Sequence, residues 1–387
     1  MAKTLVYLDY NATSPLLASA KSAMLDVLDG PANASSVHRS GREARRLVEA
    51  ARSQVAGLVN AEPNAVTFTS GATEADVLAL SPQVSIDSRD VHFDRLYVSA
   101  AAHPAMLAGG RFAEEMVSHI PVDSNGLINR DWLSRELEGL THLGGRALVA
   151  LMHANNETGV IEPIAEIATE VSRLGHFVHV DAVQSVGRIP VDMDELGVHS
   201  LAISSHKLGG PHGAGALIRC GEAYRPSPLM LGGGQEARQR AGTENVAAIA
   251  GFGAAAEEAC QESDRLIRIL SHRDFLESEM RSIFRTVTIF GSAAKRICNT
   301  CCFAIPGTSA ETLMIALDLE RVAVSSGSAC SSGKVGASHV LRAMGVDDQT
   351  AKAAIRVSLG AYTERTDIER FLEALQKSVR MMLKKPA

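Results

Sequence analysis

The stretch HFVHVDAVQS (residues 176–185) reads as a short β-strand that ends on Asp181, with Gln184 three residues on. A second run, AISSHKLGGPHGAGAL (202–217), ends its own strand on Lys207, just before a glycine-rich turn. Both strands are apolar on both faces, as suits a largely parallel sheet covered by helices on each side. Charges at the ends of such strands are costly to bury. The carboxyl ends of parallel strands are also where α/β folds bind ligands.

The same alternation of strand and helix extends over about residues 36–260. EARRLVEAARSQVAGLV (43–59) has apolar residues at 44, 47, 48, 51, 55 and 58, one stripe of an amphipathic helix. AVTFTSGATEADVLAL (65–80) reads as strand, tight turn and helix, and LYVSA, RALVALMHA and LAISSHK are further short strands. AAAEEACQESDRLIRILSHRDFLESEMRSIF (254–284) reads as one long helical stretch leading out of this unit. TVTIFGS, NTCCFAIPG, ETLMIALDLE, IRVSLG and a final helix then make an α+β set.

The chain has 387 residues, of which 46% are hydrophobic and 21% charged, proportions that suit a soluble globular protein of one large or two unequal domains. A net charge of −6 with no basic block argues against nucleic acid as the main partner. NVAAIAGFGAAA (245–256) is too short and glycine-broken to span a bilayer. The opening MAKTLVYLDYNATSP lacks the pattern of a secretory signal. Six scattered cysteines then suit free thiols in the cytoplasm. CNTCC (298–302) lies in a strand with no second ligand pair nearby, so it reads as core cysteines rather than a metal site.

A lone strand-end lysine ordinarily just reaches water, and an aspartate there ordinarily caps a helix. The second reading of Asp181 leaves Lys207 unexplained. Together they meet two needs of pyridoxal phosphate: a lysine for its aldehyde and a carboxylate against its pyridinium nitrogen. TSGATEA (69–75) places Ala72 and Thr73 at a helix N-terminus, where backbone N–H groups bind anions. Ser204 and His206 are further donors for a phosphate. Asn155 in MHANNETG is placed to reach a ring hydroxyl, and His103 in SAAAHPAML to stack on the ring or move protons. Arg356 in AIRVSLG suits a bidentate clamp on a carboxylate. Cys330 in SSGSACSSG (325–333) sits among serines and glycines with nothing nearby to bury it, as a reactive thiol on a flexible tether would.

These stretches resemble, in family order, the cysteine desulfurases of the NifS/IscS type, in the class V aminotransferase superfamily. YLDYNATSP, NASSVHRSGREA, VTFTSGATEA, MHANNETGV, HVDAVQSVG, SSHKLGGPHGAGAL and GGGQEARQRAGTENV carry the likeness. SSGSAC marks the first of the family's two groups. The resemblance implies a fold-type I pyridoxal-phosphate architecture, α/β with a mostly parallel sheet. Its large domain would be 14–258, and 1–13 with 259–387 the small domain carrying the cysteine loop. Periodicity alone does not place the N-terminal dozen residues.

The resemblance also implies roles. Lys207 is the Schiff-base lysine, Asp181 holds the pyridinium, and Asn155 and Gln184 contact the ring hydroxyl. Ala72, Thr73, Ser204 and His206 bind phosphate with Thr243 from a second copy, which makes a homodimer. His103 shuttles protons, and Arg356 with Asn155 binds the substrate, L-cysteine. Cys330 takes the sulfur as a persulfide and hands it to an acceptor or Fe–S scaffold protein. No resident metal is implied, although Cys330 could transiently ligate a nascent Fe–S cluster. Two departures stand out: Ala102 where the family often has an acid, and a short C-terminal tail. Selenocysteine lyase or another class V activity is the nearest alternative, and a non-catalytic scaffold a remoter one.

Overall fold

The computed structural model describes residues 5–260, 263–327 and 336–383. Seven strands form the main sheet, in the order Val66–Thr69, Gly215–Arg219, Ser200–Ser204, Phe177–Asp181, Ala147–Met152, Arg95–Ser99, Val117–Ile120. Gly215–Arg219 runs antiparallel to both of its neighbours, and the pairings from Ser200–Ser204 to Val117–Ile120 are parallel. Every residue of Ala147–Met152 and Ser200–Ser204 is buried, because helices cover both faces, and this is why these runs are apolar without alternation.

The helix Arg39–Gly57 turns Ala44, Val48, Ala51 and Val55 into the core at the three- and four-residue spacing read from the sequence. The His38 ring opens it by accepting from the Gly41 N–H. Ile164–Arg173 does the same on a neighbouring strip with Ile164, Ile167, Ala168 and Val171. The stretch 254–284 is two helices rather than one. Val246–Ala259 ends at Cys260, whose N–H closes the last turn, and Ser263–Ile283 follows.

A second, smaller sheet runs Thr288–Ile289, Thr300–Ala304, Ile355–Ser358, Ser325–Ser326, all antiparallel. It has its own core, where Phe303 and Val357 meet Leu276, Leu313, Phe371 and Leu375 of three helices. Val6 and Leu8 belong to that core too, since Val6–Tyr7 pairs in parallel with Val322–Ala323 and Asp9 bridges Ser358. The architecture is thus α/β with a mostly parallel large sheet and a smaller α+β unit.

Cys301 and Cys302 are fully buried, and burial pushes both thiols up. They join different apolar clusters, as adjacent strand residues must. Among the described residues no helix is long and apolar enough to cross a membrane, and no three His, Cys, Asp or Glu side chains gather as metal ligands.

Candidate active site

At one edge of the main sheet the carboxyl ends of five strands give way to turns. Ser70 and Gly71 follow Thr69, His103 lies beyond Ser99, Asn156 beyond Met152, Gln184 beyond Asp181, and Lys207 beyond Ser204. These turns and Arg356 from the smaller sheet line a cleft of about 440 Å³, a size that suits a small ligand. Gly215 makes part of it possible. A Cβ there would come within 2.6 Å of Gly71, so only glycine lets the turn that opens helix Ala72–Ala79 lie against this strand.

Lys207 sits in the 3-10 turn Ser205–Lys207. Its Nζ donates to the carbonyls of Asn11 (2.6 Å) and Ala12 (2.7 Å), and the Ser14 hydroxyl donates to its own carbonyl at 2.8 Å. The N-terminal segment thereby aims the lysine. His206 Nδ1 lies 3.1 Å from the Thr13 hydroxyl, and its ring stacks on His212 at 5.1 Å. Burial, with Lys207 and His212 adding, pushes the His206 imidazole down to about 4.

Asp181 is buried and accepts from the Val183 N–H at 2.9 Å. Burial pushes its carboxyl up to about 7, with Asp76 adding, against that hydrogen bond, His179 and Lys207. Asp76 also lines the cleft; its carboxylate meets His179 Nε2 at 3.1 Å, and His179 Nδ1 meets the Ser200 hydroxyl at 2.8 Å. A cation opposite Asp181 would draw its carboxyl back down.

His103 caps the short helix Pro104–Leu107, its Nδ1 accepting from the Ala105 N–H at 3.2 Å, which assigns the ring proton to Nε2. Burial, then Lys207 and His339, holds its imidazole down at about 4, so the ring is neutral at pH 7. Ala102 is fully buried, and its carbonyl accepts from His339 Nε2 at 2.9 Å. An imidazole rather than a carboxylate therefore stands beside His103 in this chain.

Arg356, only 1% exposed, donates from Nη2 to Asp9 Oδ1 at 2.7 Å and from Nη1 to the Asn156 carbonyl at 3.0 Å. Its Nε is buried and has no hydrogen-bond partner among the described residues. The second Asp9 oxygen accepts from the Ser325 hydroxyl at 2.8 Å.

The structure brings Ala72, Thr73, His103, Asp181, Gln184, Ser204, His206, Lys207 and Arg356 together around the cleft. It corrects the expectation for Asn155. That side chain donates to the Ala101 carbonyl and accepts from the N–H groups of Glu157 and Thr158 and from the Thr158 hydroxyl. Asn155 is spent on shaping the turn, and Asn156 lines the cleft in its place. Thr243 lies in an adjoining cleft that shares Ser70 and Gly213 with the first. Cys330 lies outside the described residues. Sequence reasoning passed over Asp9, Asp76, Asn156 and His339. In NNETG the two asparagines look alike, and only the turn geometry separates them.

The residues fit pyridoxal phosphate by their donor chemistry. Asp181 is in register with Ala202, so Ser204 lies two residues further along the next strand. The two are thus about 7 Å apart along the strand direction and one strand apart across it. At the far end stand hydroxyl, imidazole and helix N-terminal donors, with Lys207 beside them.

The chain matches the family described as Aminotransferase class-V over residues 6–371. It is 40% identical to "Cysteine desulfurase IscS" of Dictyoglomus turgidum, covering 97% of this chain and 94% of that one. It is 35% identical to the "IscS-like cysteine desulfurase" of Mycobacterium tuberculosis, covering 97% and 96%. The crystal structure of a NifS-like protein from Rickettsia africae superposes with a TM-score of 0.88 at 34% identity, over 97% of this chain and all of that one. With the ordered motifs, the strand-end lysine and aspartate and the buried arginine in one cleft, these likenesses settle the family: the chain belongs to the class-V aminotransferases and, within them, to the cysteine desulfurases of the NifS/IscS type.

Proposed function

We propose that this cleft converts L-cysteine to L-alanine and passes the sulfur to Cys330 as a persulfide, for delivery to Fe–S cluster assembly or another sulfur acceptor. The observation that carries the reading is the meeting of Lys207, Asp181 and Arg356 in one cleft. Pyridoxal phosphate, which the family implies, supplies when bound an electron sink for bonds broken at the substrate's Cα.

In this reading Lys207 Nζ holds the cofactor covalently and Asp181 faces its ring nitrogen. Asn156 and Gln184 line the ring's flank, in place of the pairing with Asn155. The N–H groups of Ala72 and Thr73, with Ser204, His206 and Thr243 of the partner subunit, take the phosphate in a homodimer. This chain's own Thr243 is exposed in the adjoining cleft, open to a second copy. Arg356 binds the substrate carboxylate, and His103 moves protons at Nε2.

The Cys330 thiolate attacks the substrate sulfur. An S–S bond forms as the substrate C–S bond breaks, the electron pair of that bond stays on Cβ, and Cβ takes a proton to give alanine. One thiol and one cysteine become one persulfide and one alanine, with no outside oxidant or reductant. A cytoplasmic setting suits the free thiols of Cys220, Cys260, Cys298, Cys301 and Cys302. The division at residues 13/14 and 258/259 is part of the same proposal, supported by the two separate cores.

The test is to measure alanine and sulfide released from L-cysteine with a thiol reductant, for the holoenzyme and for Cys330→Ala. Equal amounts from the first and no sulfide from the second are expected. Normal sulfide release by Cys330→Ala would overturn the route through Cys330.

A further inference from the structure

Arg356 is the largest fully buried side chain among the described residues. A guanidinium in that position needs a compensating charge and acceptors for its five N–H groups, or it is strongly destabilising. Its one ion pair among the described residues is with Asp9. Asp9 Oδ1 takes an Nη2 proton and the Asn156 carbonyl takes an Nη1 proton. The Nε–H is left without a partner, and the side chain lines the cleft. Nε and Nη2 share one edge of the guanidinium, the edge that receives a carboxylate bidentately.

Asp9 is itself held by strand pairing rather than by a loose loop. The Ser358 N–H donates to the Leu8 carbonyl at 2.9 Å, and the Tyr10 N–H donates to the Ser358 carbonyl at 3.2 Å. Asp9 thus bridges Ser358, two residues along the strand from Arg356, in a fixed place. Its second oxygen is occupied by the Ser325 hydroxyl, which prevents it from turning.

We propose that Asp9 is a positioning residue for the substrate. It fixes and neutralises Arg356 so that the Nε edge stays presented to the α-carboxylate, and through Ser325 it ties this clamp to the strand that leads toward Cys330. The inference rests on the reading of Arg356 as the carboxylate site.

The direction of the effect follows from the surroundings. Glu157 is buried and within electrostatic reach of Arg356. Without Asp9, the guanidinium loses its ion pair and the contact that holds Nη2, so its Nε edge is no longer fixed toward the cleft. Loss of Asp9 therefore weakens substrate binding, although removing a negative charge would by simple attraction strengthen it.

The experiment measures KM and kcat for L-cysteine, and competitive inhibition by cysteamine, which lacks the carboxylate. It compares wild-type, Arg356→Lys, Asp9→Asn and Ser325→Ala holoenzymes. Asp9→Asn is expected to raise KM about ten- to hundredfold, the range for one charge-assisted hydrogen bond. Its kcat should stay within about threefold and its cysteamine inhibition within about twofold, changes too small for a lost hydrogen bond of that kind. Ser325→Ala should move KM in the same direction by less.

An unchanged or lowered KM in Asp9→Asn, with KM raised in Arg356→Lys, would overturn the role of Asp9 alone. So would equal losses in kcat and cysteamine inhibition. An unchanged KM in Arg356→Lys would overturn the reading of Arg356 and this inference with it. If Asp9→Asn fails to fold, Asp9→Glu keeps the charge but displaces it by one methylene, and the same split between KM and kcat is required of it.

Discussion

The cleft has two walls of different construction. The main-sheet wall takes Asp181, Ser204 and Lys207 from strand ends and the turns that follow, each placed by the strand next to it. The second wall puts Arg356 into the cleft, held by Asp9 and Ser325 outside the lining, with His339 bonded to the Ala102 carbonyl, and its central ion pair links residues 347 positions apart. The first wall is fixed once the large sheet forms. The second exists only when the two ends of the chain have met. In the proposed function, chemistry is concentrated on the first and substrate handling on the second.

The largest effect expected belongs to the first wall. Lys207→Ala should lower turnover on the order of 10⁴-fold. It should also abolish trapping of the cofactor on the protein by borohydride, and trapped cofactor in that variant would move the covalent link elsewhere. His103→Gln should cost about 10²-fold or more in kcat with little change in KM, the opposite split to Asp9→Asn. Equal splits for the two variants would erase the distinction between the walls.

Neighbouring asparagines sharpen the comparison within a single turn. Asn155→Ala removes the acceptor of three hydrogen bonds and a donor to Ala101, and should cost about 2–3 kcal/mol in urea unfolding. Asn156→Ala should leave unfolding nearly unchanged and weaken cofactor binding to the apoprotein instead, followed by fluorescence.

Glu162 backs the same turn, and burial pushes its carboxyl up to about 8. A carboxyl raised on folding contributes stability that is full below its unfolded value, near 4.3, and is lost as pH rises through 8. Glu162→Gln should therefore gain about 1–3 kcal/mol over wild type at pH 9 and nothing at pH 4. Equal unfolding curves at both pH values would remove the strain assigned to this carboxyl.

The smallest effect is expected of His339→Ala, about 0.5–1.5 kcal/mol of stability for one hydrogen bond. Loss of its ring should let the His103 imidazole, which it helps hold down, rise from about 4, seen by titrating histidine ring protons. No movement would separate the two rings electrostatically.

The first wall was largely legible in the sequence because its rules are local. A doubly apolar strand ending on Asp181, or just before the turn that carries Lys207, announces both its burial and its direction, and TSGATEA announces a turn and a helix N-terminus. The second wall was legible only at Arg356, a charged residue conspicuous inside a β-run. Asp9 in YLDY looks like any polar residue beside a strand, and nothing near it in sequence points to Ser358 or Ser325. His339 follows Ser338 at an ordinary helix start, and its bond to the Ala102 carbonyl spans 237 positions. Asn155 was misplaced because hydrogen bonding within a turn depends on backbone dihedrals that composition does not reveal. The apparent single helix of 254–284 is broken at Cys260, where a long polar stretch offered no glycine or proline as a signal.

The N-terminal segment has a consequence for the order of events during synthesis. Residues 6–11 leave the ribosome long before Val322, Ala323 and Ser358, the partners with which they pair. Until those partners arrive, the segment is held by its bonds to Gln184, Asn156 and His206, and the Asn11 and Ala12 carbonyls that hold Lys207 Nζ lack their second anchor. A nascent chain can complete its large sheet early, since domains fold as units, but it aims its lysine less firmly. Full competence for cofactor capture is thus a property of a chain extended through Ser358, and a release-arrested chain that stops short of it should emerge folded over most of its length and bind the cofactor more weakly.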